Sequence, residues 1–217
     1  MKVVLFGATG MVGQGALREC LLNPEITSVV SIVRAPSGQT HPKLREIVHR
    51  DFLDYSAMED QLTGLDACFF CLGVASFGMS EEQYRVITHD YTLAAAKTLV
   101  RLNPQMVFEY VSGSGTNAAS RTMWARVKGT TENELLALGF RAAYMLRPGF
   151  IVPLHGIRSK TRLYRLFYAP MTPILPLLER LFPRQITTTE KLGRAMIRAA
   201  RDGAPKQVLG TEDISRL

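Results

Sequence analysis

The stretch that decides the fold is Val3-Val4-Leu5-Phe6-Gly7-Ala8-Thr9-Gly10-Met11-Val12-Gly13, followed by a helix-like run at residues 14–22. A short apolar strand, a glycine turn and a helix in this order direct backbone amides and the positive end of a helix dipole toward a pyrophosphate. Glycine has no Cβ, so the backbone of the turn can approach the phosphates closely. The pattern predicts a dinucleotide site rather than a plain structural turn. We expect the cofactor to contact Gly7, Thr9, Gly10, Met11, Val12 and Gly13.

Strand-like and helix-like patterns alternate along the first two thirds of the chain. Strand-like runs cover residues 3–6, 29–33, 47–48, 67–72, 106–111 and 142–146, and helical patterns cover residues 11–22, 81–102 and 123–138. This alternation predicts an α/β fold of Rossmann type, a doubly wound parallel sheet with helices on both faces and a small C-terminal helical cap. We expect one domain over residues 1–217. Its Rossmann core occupies residues 1–150, and residues 151–217 supply a cap, a helix and an edge strand.

Composition restricts the class of protein. The chain has 217 residues, 47% of them hydrophobic, which is enough for one substantial core. Its first apolar run is too short, and too soon broken by glycine, to be the h-region of a signal peptide, which favours a cytoplasmic location. Cys68 and Cys71 lie three apart on a predicted strand and therefore point to opposite faces, so we expect them to pack in the core. The four histidines show no ligand spacing, and no metal is expected.

Positive charge is concentrated in the C-terminal third. Residues 1–140 contain 12 Lys and Arg and 14 Asp and Glu, whereas residues 141–217 contain 14 and 5. A basic surface can attract an anionic substrate, a membrane or nucleic acid. It is equally typical of solvated helices, which is the interpretation we favour, and no specific nucleic-acid binding is expected. Residues 158–168 alternate basic and aromatic side chains, and here a cap over the strand ends is favoured over contact with an anionic membrane.

The residue at the end of the second strand bears on cofactor choice. Rossmann proteins that prefer NAD place an acid there, where this chain has Arg34. A guanidinium can pair with the 2′-phosphate of NADP, which a carboxylate would repel, although an exposed arginine at a strand end is the simpler alternative. Asp51 and Phe52 follow the third strand, where they can reach the adenine. A turn-capping role for Asp51 is nearly as well supported. The sequence thus predicts NADP as cofactor.

Five motifs together resemble the atypical and extended branches of the short-chain dehydrogenase/reductase superfamily. They are the Gly-x-x-Gly-x-x-Gly turn, Cys71-Leu72-Gly73, Val111-Ser112, Val127-Lys128-Gly129 and Arg147-Pro148-Gly149, which match in order and approximate spacing over residues 1 to about 150. Within the superfamily the chain is most similar to the Tat-interacting-protein group of small NADP-binding, oxidoreductase-like proteins. The resemblance implies that the cofactor also contacts Cys71, Leu72, Gly73, Pro148 and Gly149.

The resemblance further implies a proton-transfer site on the helix after the fifth strand. In this superfamily a Tyr-x-x-x-Lys pair performs proton transfer. The tyrosine is the acid and base, and the lysine lowers the pKa of the tyrosine and holds the nicotinamide ribose. Here the pair is Trp124 and Lys128, and an indole cannot replace a phenol as acid and base. We expect Lys128 to bind the ribose, and Trp124 either to stack on the substrate or nicotinamide or to pack. Ser112 or Ser114 is expected to bind the substrate oxygen. His155 is a candidate substitute acid, although a surface role explains it more simply.

Two functions remain open on these observations. The first is an NADPH-dependent reductase, or an epimerase-type enzyme, acting on a small carbonyl or quinone-like substrate, with Ser112 and Lys128 as its catalytic residues. The second is a non-catalytic NADP-binding protein with a redox-sensing or regulatory role, which the replacement at Trp124 favours. A homodimer formed through the long helices is the expected assembly.

Overall fold

The computed structural model describes residues 1–157 and 185–217. The strands in these ranges are β1 (Lys2–Phe6), β2 (Ser28–Val33), β3 (Leu44–Val48), β4 (Ala67–Phe70), β5 (Val107–Val111), β6 (Ala142–Arg147), β7 (Phe150–Val152), β8 (Ile186–Thr188) and β9 (Val208–Gly210). Seven of them form a parallel sheet in the order β3-β2-β1-β4-β5-β6-β9, and β7 pairs with β8 in a separate parallel pair. The strand order reverses between β1 and β4. Ligands of such sheets bind at this switch point, beyond the carboxyl ends of the strands.

Helices cover both faces of the sheet. They are α1 (Met11–Leu22), α2 (Glu81–Arg85), α3 (Tyr91–Leu102), α4 (Met123–Ala137), α5 (Thr189–Asp202) and α6 (Thr211–Arg216). Successive strand residues point to opposite faces, so Val3 and Leu5 pack with α1 and α5, while Val4 and Phe6 pack with α3 and α4. The predicted doubly wound α/β fold is therefore confirmed.

The helix predicted at residues 81–102 is one continuous rod with a local defect. Between α2 and α3 the turn Val86–Asp90 has π-helical hydrogen bonding, which inserts an extra residue into the helical period. α2 itself begins at a capping box, in which Ser80 and Gln83 exchange side-chain and backbone hydrogen bonds. The apolar periodicity of the sequence continues through the π turn, so the pattern predicted the helix but not the defect.

α5 is fixed to the core by a close crossing with α1. A Cβ on Gly15 would lie 2.7 Å from the side chain of Thr189, and a Cβ on Gly193 would lie 2.9 Å from that of Glu19. The Glu19 carboxylate is buried at this crossing and accepts a hydrogen bond from Arg194 Nε at 3.0 Å. The two glycines let the helix backbones approach, and the ion pair joins them.

Several expectations about the remainder of the chain can be compared with the structure. Cys68 and Cys71 face opposite sides of the sheet, as predicted, and Cys20, Cys68 and Cys71 are all free thiols. Within residues 1–157 and 185–217, no group of three or more His, Cys, Asp or Glu side chains is placed to hold a metal. No helix in the same two ranges has the length and apolarity needed to cross a bilayer. The cationic segment at residues 158–168 lies outside the described residues.

Candidate functional site

The glycine turn between β1 and α1 is shaped by two close contacts. Gly7 has φ +79°, and a Cβ there would lie 2.6 Å from the amide nitrogen of Leu72. A Cβ on Gly13 would lie only 2.1 Å from the carbonyl oxygen of Gly7. The first helical turn of α1 therefore packs directly against the start of the glycine loop. Gly10 begins the helix with no side-chain cap, and no acidic residue occupies the first turn. The free amides at this helix end suit an anion.

A cavity of about 670 Å³ lies in front of this turn, at the carboxyl ends of β1, β2 and β4. Arg34 follows β2 and Arg50 follows β3, and both line the cavity with exposed guanidinium groups. Neither arginine forms an ion pair with any other residue that the structure describes. Two unpaired guanidiniums at one end of a cavity, with helix amides at its middle, suit a ligand that carries more than one phosphate.

Aromatic side chains form part of the wall at this end of the cavity. Phe52 is buried and packs on Tyr91, with ring centroids 5.6 Å apart and planes tilted by 31°. Both rings line the cavity, together with Ile87. Ile87 lies within the π turn and Tyr91 directly follows it, so the helix defect presents these two side chains to the cavity. This wall suits the flat face of a heterocycle.

A second cavity of about 380 Å³ continues the first toward β5 and β6. The two cavities share the lining residues Gly10, Met11, Cys71, Leu72, Gly73, Val74 and Ala75, so together they form one cleft across the sheet edge. The far end of this cleft is lined by Ser112 and Lys128. Its other lining side chains there are apolar and belong to Val111, Phe150 and Ile151.

Ser112 and Lys128 are held by the end of β5. The Ser112 hydroxyl lies 3.0 Å from that of Thr116 and shares a hydrogen bond with it. The Lys128 ammonium donates a hydrogen bond to the Val111 carbonyl at 3.3 Å and sits 5.2 Å from the ring centroid of Tyr110. Burial lowers the pKa of Lys128 to about 8, against the opposing effect of the Glu132 carboxylate. The cleft thus has a hydroxyl and a readily deprotonated ammonium at one end.

The structure brings together most, but not all, of the residues expected at the site. The cleft is lined by Gly7, Thr9, Gly10, Met11, Val12, Arg34, Phe52, Cys71, Leu72, Gly73, Ser112, Lys128 and Gly149. Gly13 does not line the cleft but packs against the Gly7 carbonyl group. Pro148 is buried beside the cleft, where its carbonyl accepts the Ser114 amide at 2.9 Å.

Four expected residues have other surroundings. The Asp51 carboxylate accepts the Leu53 amide at 3.0 Å, which is the turn-capping alternative. Ser114 is exposed, and Trp124 packs over Gly115; neither lines the cleft. His155 has a left-handed backbone with φ 57° and its ring is bonded to Glu190 at the start of α5.

Sequence reasoning missed Arg50 and Tyr91. Arg50 stands immediately before Asp51 after the third strand, so its position was a usable signal, although the prediction named Asp51 and Phe52 there instead. Tyr91 had no such signal, because the predicted helix was unbroken and its cleft-facing side depends on the π turn.

Comparison with known proteins gives the chain a family. No family model matches it. It is 35% identical over 168 residues to "Protein fmp52, mitochondrial" of Emericella nidulans. The aligned region covers 74% of this chain and 70% of that relative. The chain belongs to the Fmp52 family. A second member, "Protein FMP52, mitochondrial" of Saccharomyces cerevisiae, is 31% identical over 166 residues, covering 75% of this chain and 69% of that one.

Solved structures confirm the fold predicted for this Fmp52 family member. MoeE5, solved with UDP-glucuronic acid and NAD, superposes with a TM-score of 0.71 at 18% identity, over 96% of this chain and 75% of its own. An oxidoreductase of the short-chain dehydrogenase/reductase family from Burkholderia thailandensis gives 0.68 at 14% identity, over 99% and 92%. The resemblance drawn from the five sequence motifs is therefore confirmed, and the chain has the fold of that superfamily.

The relatives correct one expectation. Both Fmp52 proteins are named as mitochondrial, which contradicts the cytoplasmic location expected from the sequence. The expectation was wrong because it rested on the lack of a signal-peptide h-region. That feature bears on secretion and does not separate cytoplasm from mitochondrion.

Proposed function

We propose that this Fmp52 family member is an NADP(H)-binding oxidoreductase acting on a small carbonyl or quinone-like substrate, in association with mitochondria. The observation that carries the proposal is the single cleft that joins two unpaired arginines, a glycine turn with free helix amides, and the Ser112–Lys128 pair. This order matches the parts of a nicotinamide dinucleotide from the adenosine end to the nicotinamide end. When bound, the cofactor supplies the hydride.

NADP rather than NAD is proposed from the charge at the adenosine end. Arg34 and Arg50 both line the cleft there, and Asp51, the acid nearest in sequence, is used in a turn instead. A ribose diol needs an acceptor, whereas a 2′-phosphate needs donors and positive charge. The guanidiniums of Arg34 and Arg50 supply the donors and the positive charge that a 2′-phosphate needs.

The substrate end supports a small, largely apolar carbonyl compound. Val111, Phe150 and Ile151 give it apolar walls, and the Ser112 hydroxyl is the short-range polar group able to orient a carbonyl oxygen. The test is a titration of the purified protein with NADPH, followed by a screen of aldehydes, ketones and quinones for NADPH oxidation. Oxidation with at least one class supports a reductase.

The second candidate is a non-catalytic NADP-binding protein with a redox-sensing or regulatory role. Trp124 favours it, because the helix position that carries the catalytic tyrosine in similar proteins here holds an indole that packs over Gly115 outside the cleft. Tight NADPH binding without oxidation of any compound in the screen is the outcome that selects this candidate.

A further inference from the structure

The described residues at the substrate end of the cleft include very few groups that can exchange a proton. Among the described residues that line the 380 Å³ cavity, only Cys71 and Lys128 are titratable. Burial raises the pKa of the Cys71 thiol far above neutrality, whereas burial lowers that of Lys128 to about 8. Ser112 is a hydroxyl whose partner is another hydroxyl, that of Thr116, so in the part of the chain that the structure describes it has no base or acid behind it.

Among the described residues, the charged and titratable groups around Lys128 come from four elements. Below it on β5 lies Tyr110, which is fully buried beside Tyr84 of α2 and whose own pKa is raised well above its usual value. One turn further along α4 lies Glu132, whose carboxylate would be the natural partner of the ammonium. That carboxylate is occupied by Arg147 of β6, whose Nε lies 3.1 Å from each of its two oxygens.

Arg147 therefore leaves Lys128 without a carboxylate partner within residues 1–157 and 185–217. Glu132 is 1% exposed, and its negative charge is balanced by a guanidinium that holds both oxygens. Among the described residues, the groups in contact with the ammonium are the Val111 carbonyl and the Tyr110 ring, both uncharged, and Glu132 acts on it only through space. A half-buried cation with no counter-charge gives up its proton more readily than a paired one.

We propose that Lys128 is the proton donor of this site, in place of an aromatic hydroxyl, and that Arg147 serves it as a positioning residue by withdrawing the carboxylate of Glu132. The inference rests on the proposed function. In the reduction, the carbonyl carbon of the substrate accepts a hydride and the π electron pair moves to the oxygen. An N–H bond of Lys128 breaks as the O–H bond of the alcohol forms, and the resulting neutral amine takes a proton from water at the cleft mouth.

The first test measures Lys128 in the protein without cofactor or substrate. The rate of acylation by acetic anhydride is followed by peptide mass spectrometry from pH 6 to pH 11, with exposed Lys97 as the internal reference. The expected midpoint for Lys128 is near pH 8. A midpoint at about 10 or above, the ordinary range of lysine, overturns the proposal.

Arg147→Met tests the role given to Arg147. Loss of the guanidinium frees the Glu132 carboxylate to act on the ammonium one helical turn away, so the midpoint of Lys128 rises by about one pH unit. The double variant Arg147→Met/Glu132→Gln removes the freed carboxylate and is expected to return the midpoint to near 8. A midpoint that does not rise in Arg147→Met contradicts the role of Arg147. The alkaline limb of the kcat/KM profile for NADPH-dependent reduction moves with the labelling midpoint if Lys128 is the donor.

Lys128→Arg separates proton donation from cofactor binding. Arginine keeps a positive charge for the ribose but holds its proton at any working pH, so NADPH affinity stays within about threefold while kcat falls by about 100-fold or more. A kcat close to that of the wild type overturns the proposal and leaves the proposed function standing. NADPH binding with no reduction of any carbonyl compound, or failure to bind NADPH, overturns the proposed function as well, and the acylation midpoint then reports on Lys128 independently.

Discussion

Arg147 donates a bifurcated hydrogen bond to the Glu132 carboxylate, with its Nε atom 3.1 Å from each of the two oxygens. The carboxylate is fully buried between α4 and β6, whereas the arginine side chain is 30% exposed. The pair joins the helix that carries Lys128 to the strand that leads into the Arg147-Pro148-Gly149 motif. It therefore contributes both to the stability of the fold and to the electrostatics of the cleft.

Arg147→Met is expected to lower the free energy of unfolding by about 3 kcal/mol, because it leaves a buried carboxylate without its counter-charge. Urea unfolding followed by circular dichroism measures this. The double variant Arg147→Met/Glu132→Gln removes both charges and is expected to recover about half of the loss. A single variant as stable as the wild type contradicts the structural role of the pair.

Gly13→Ala is expected to destabilise the protein by about 2 kcal/mol or more, because the added methyl group would lie 2.1 Å from the Gly7 carbonyl oxygen. Thermal unfolding is the readout. Gly113→Ala is the matched control, since a Cβ there meets nothing within 4 Å, and its melting temperature should equal that of the wild type. Equal melting temperatures for the two variants would refute the close contact.

The boundaries of the first βαβ unit could be predicted because local residues determine them. Gly7, Gly10 and Gly13 fix the turn, and α1 begins and ends where the pattern placed it. Tyr91 could not be assigned in the same way, because its place in the cleft depends on the π turn, whereas Arg50 had a positional signal after the third strand that was not used. β7, β8 and α6 are short and have too few residues to show a period, so they were not predicted.

Trp124→Tyr is expected to leave the rate of carbonyl reduction near that of the wild type, because the side chain at position 124 packs over Gly115 outside the cleft and Lys128 is the proposed proton donor. Trp124→Phe is the control for the change in ring size and should leave the rate near that of the wild type. NADPH oxidation measured with the same carbonyl panel gives both rates. A Tyr variant at least tenfold faster than the Phe variant would contradict this and would assign proton transfer to position 124.

Glu109 predicts how stability changes with pH. Neither of its carboxylate oxygens has a hydrogen-bond partner among the described residues, and burial raises its pKa well above the usual value. It is therefore protonated in the folded protein at pH values where the unfolded chain ionises it. Its contribution to stability is therefore present below pH 4 and is lost as the pH rises above that, at up to about 1.4 kcal/mol per pH unit.

Glu109→Gln removes this titration. The variant should show a flatter dependence of the unfolding free energy on pH between 5 and 8, and it should be more stable than the wild type at pH 8. Glu82→Gln, at an exposed position, is the control for loss of one negative charge. A Glu109→Gln variant with the same slope as the wild type contradicts burial of a protonated carboxyl.

The most direct test of the central claim, that the cleft holds NADP, is a fluorescence titration of the wild type, Arg34→Asp and Arg121→Asp with NADPH and NADH. Arg121 is exposed and lies outside the cleft, so it controls for the change in charge. The wild type and Arg121→Asp should bind NADPH at least about tenfold more tightly than NADH, and Arg34→Asp should lose about 1.5 to 3 kcal/mol of NADPH affinity while retaining NADH. Equal affinity of the wild type for the two nucleotides, or binding of neither, would contradict it.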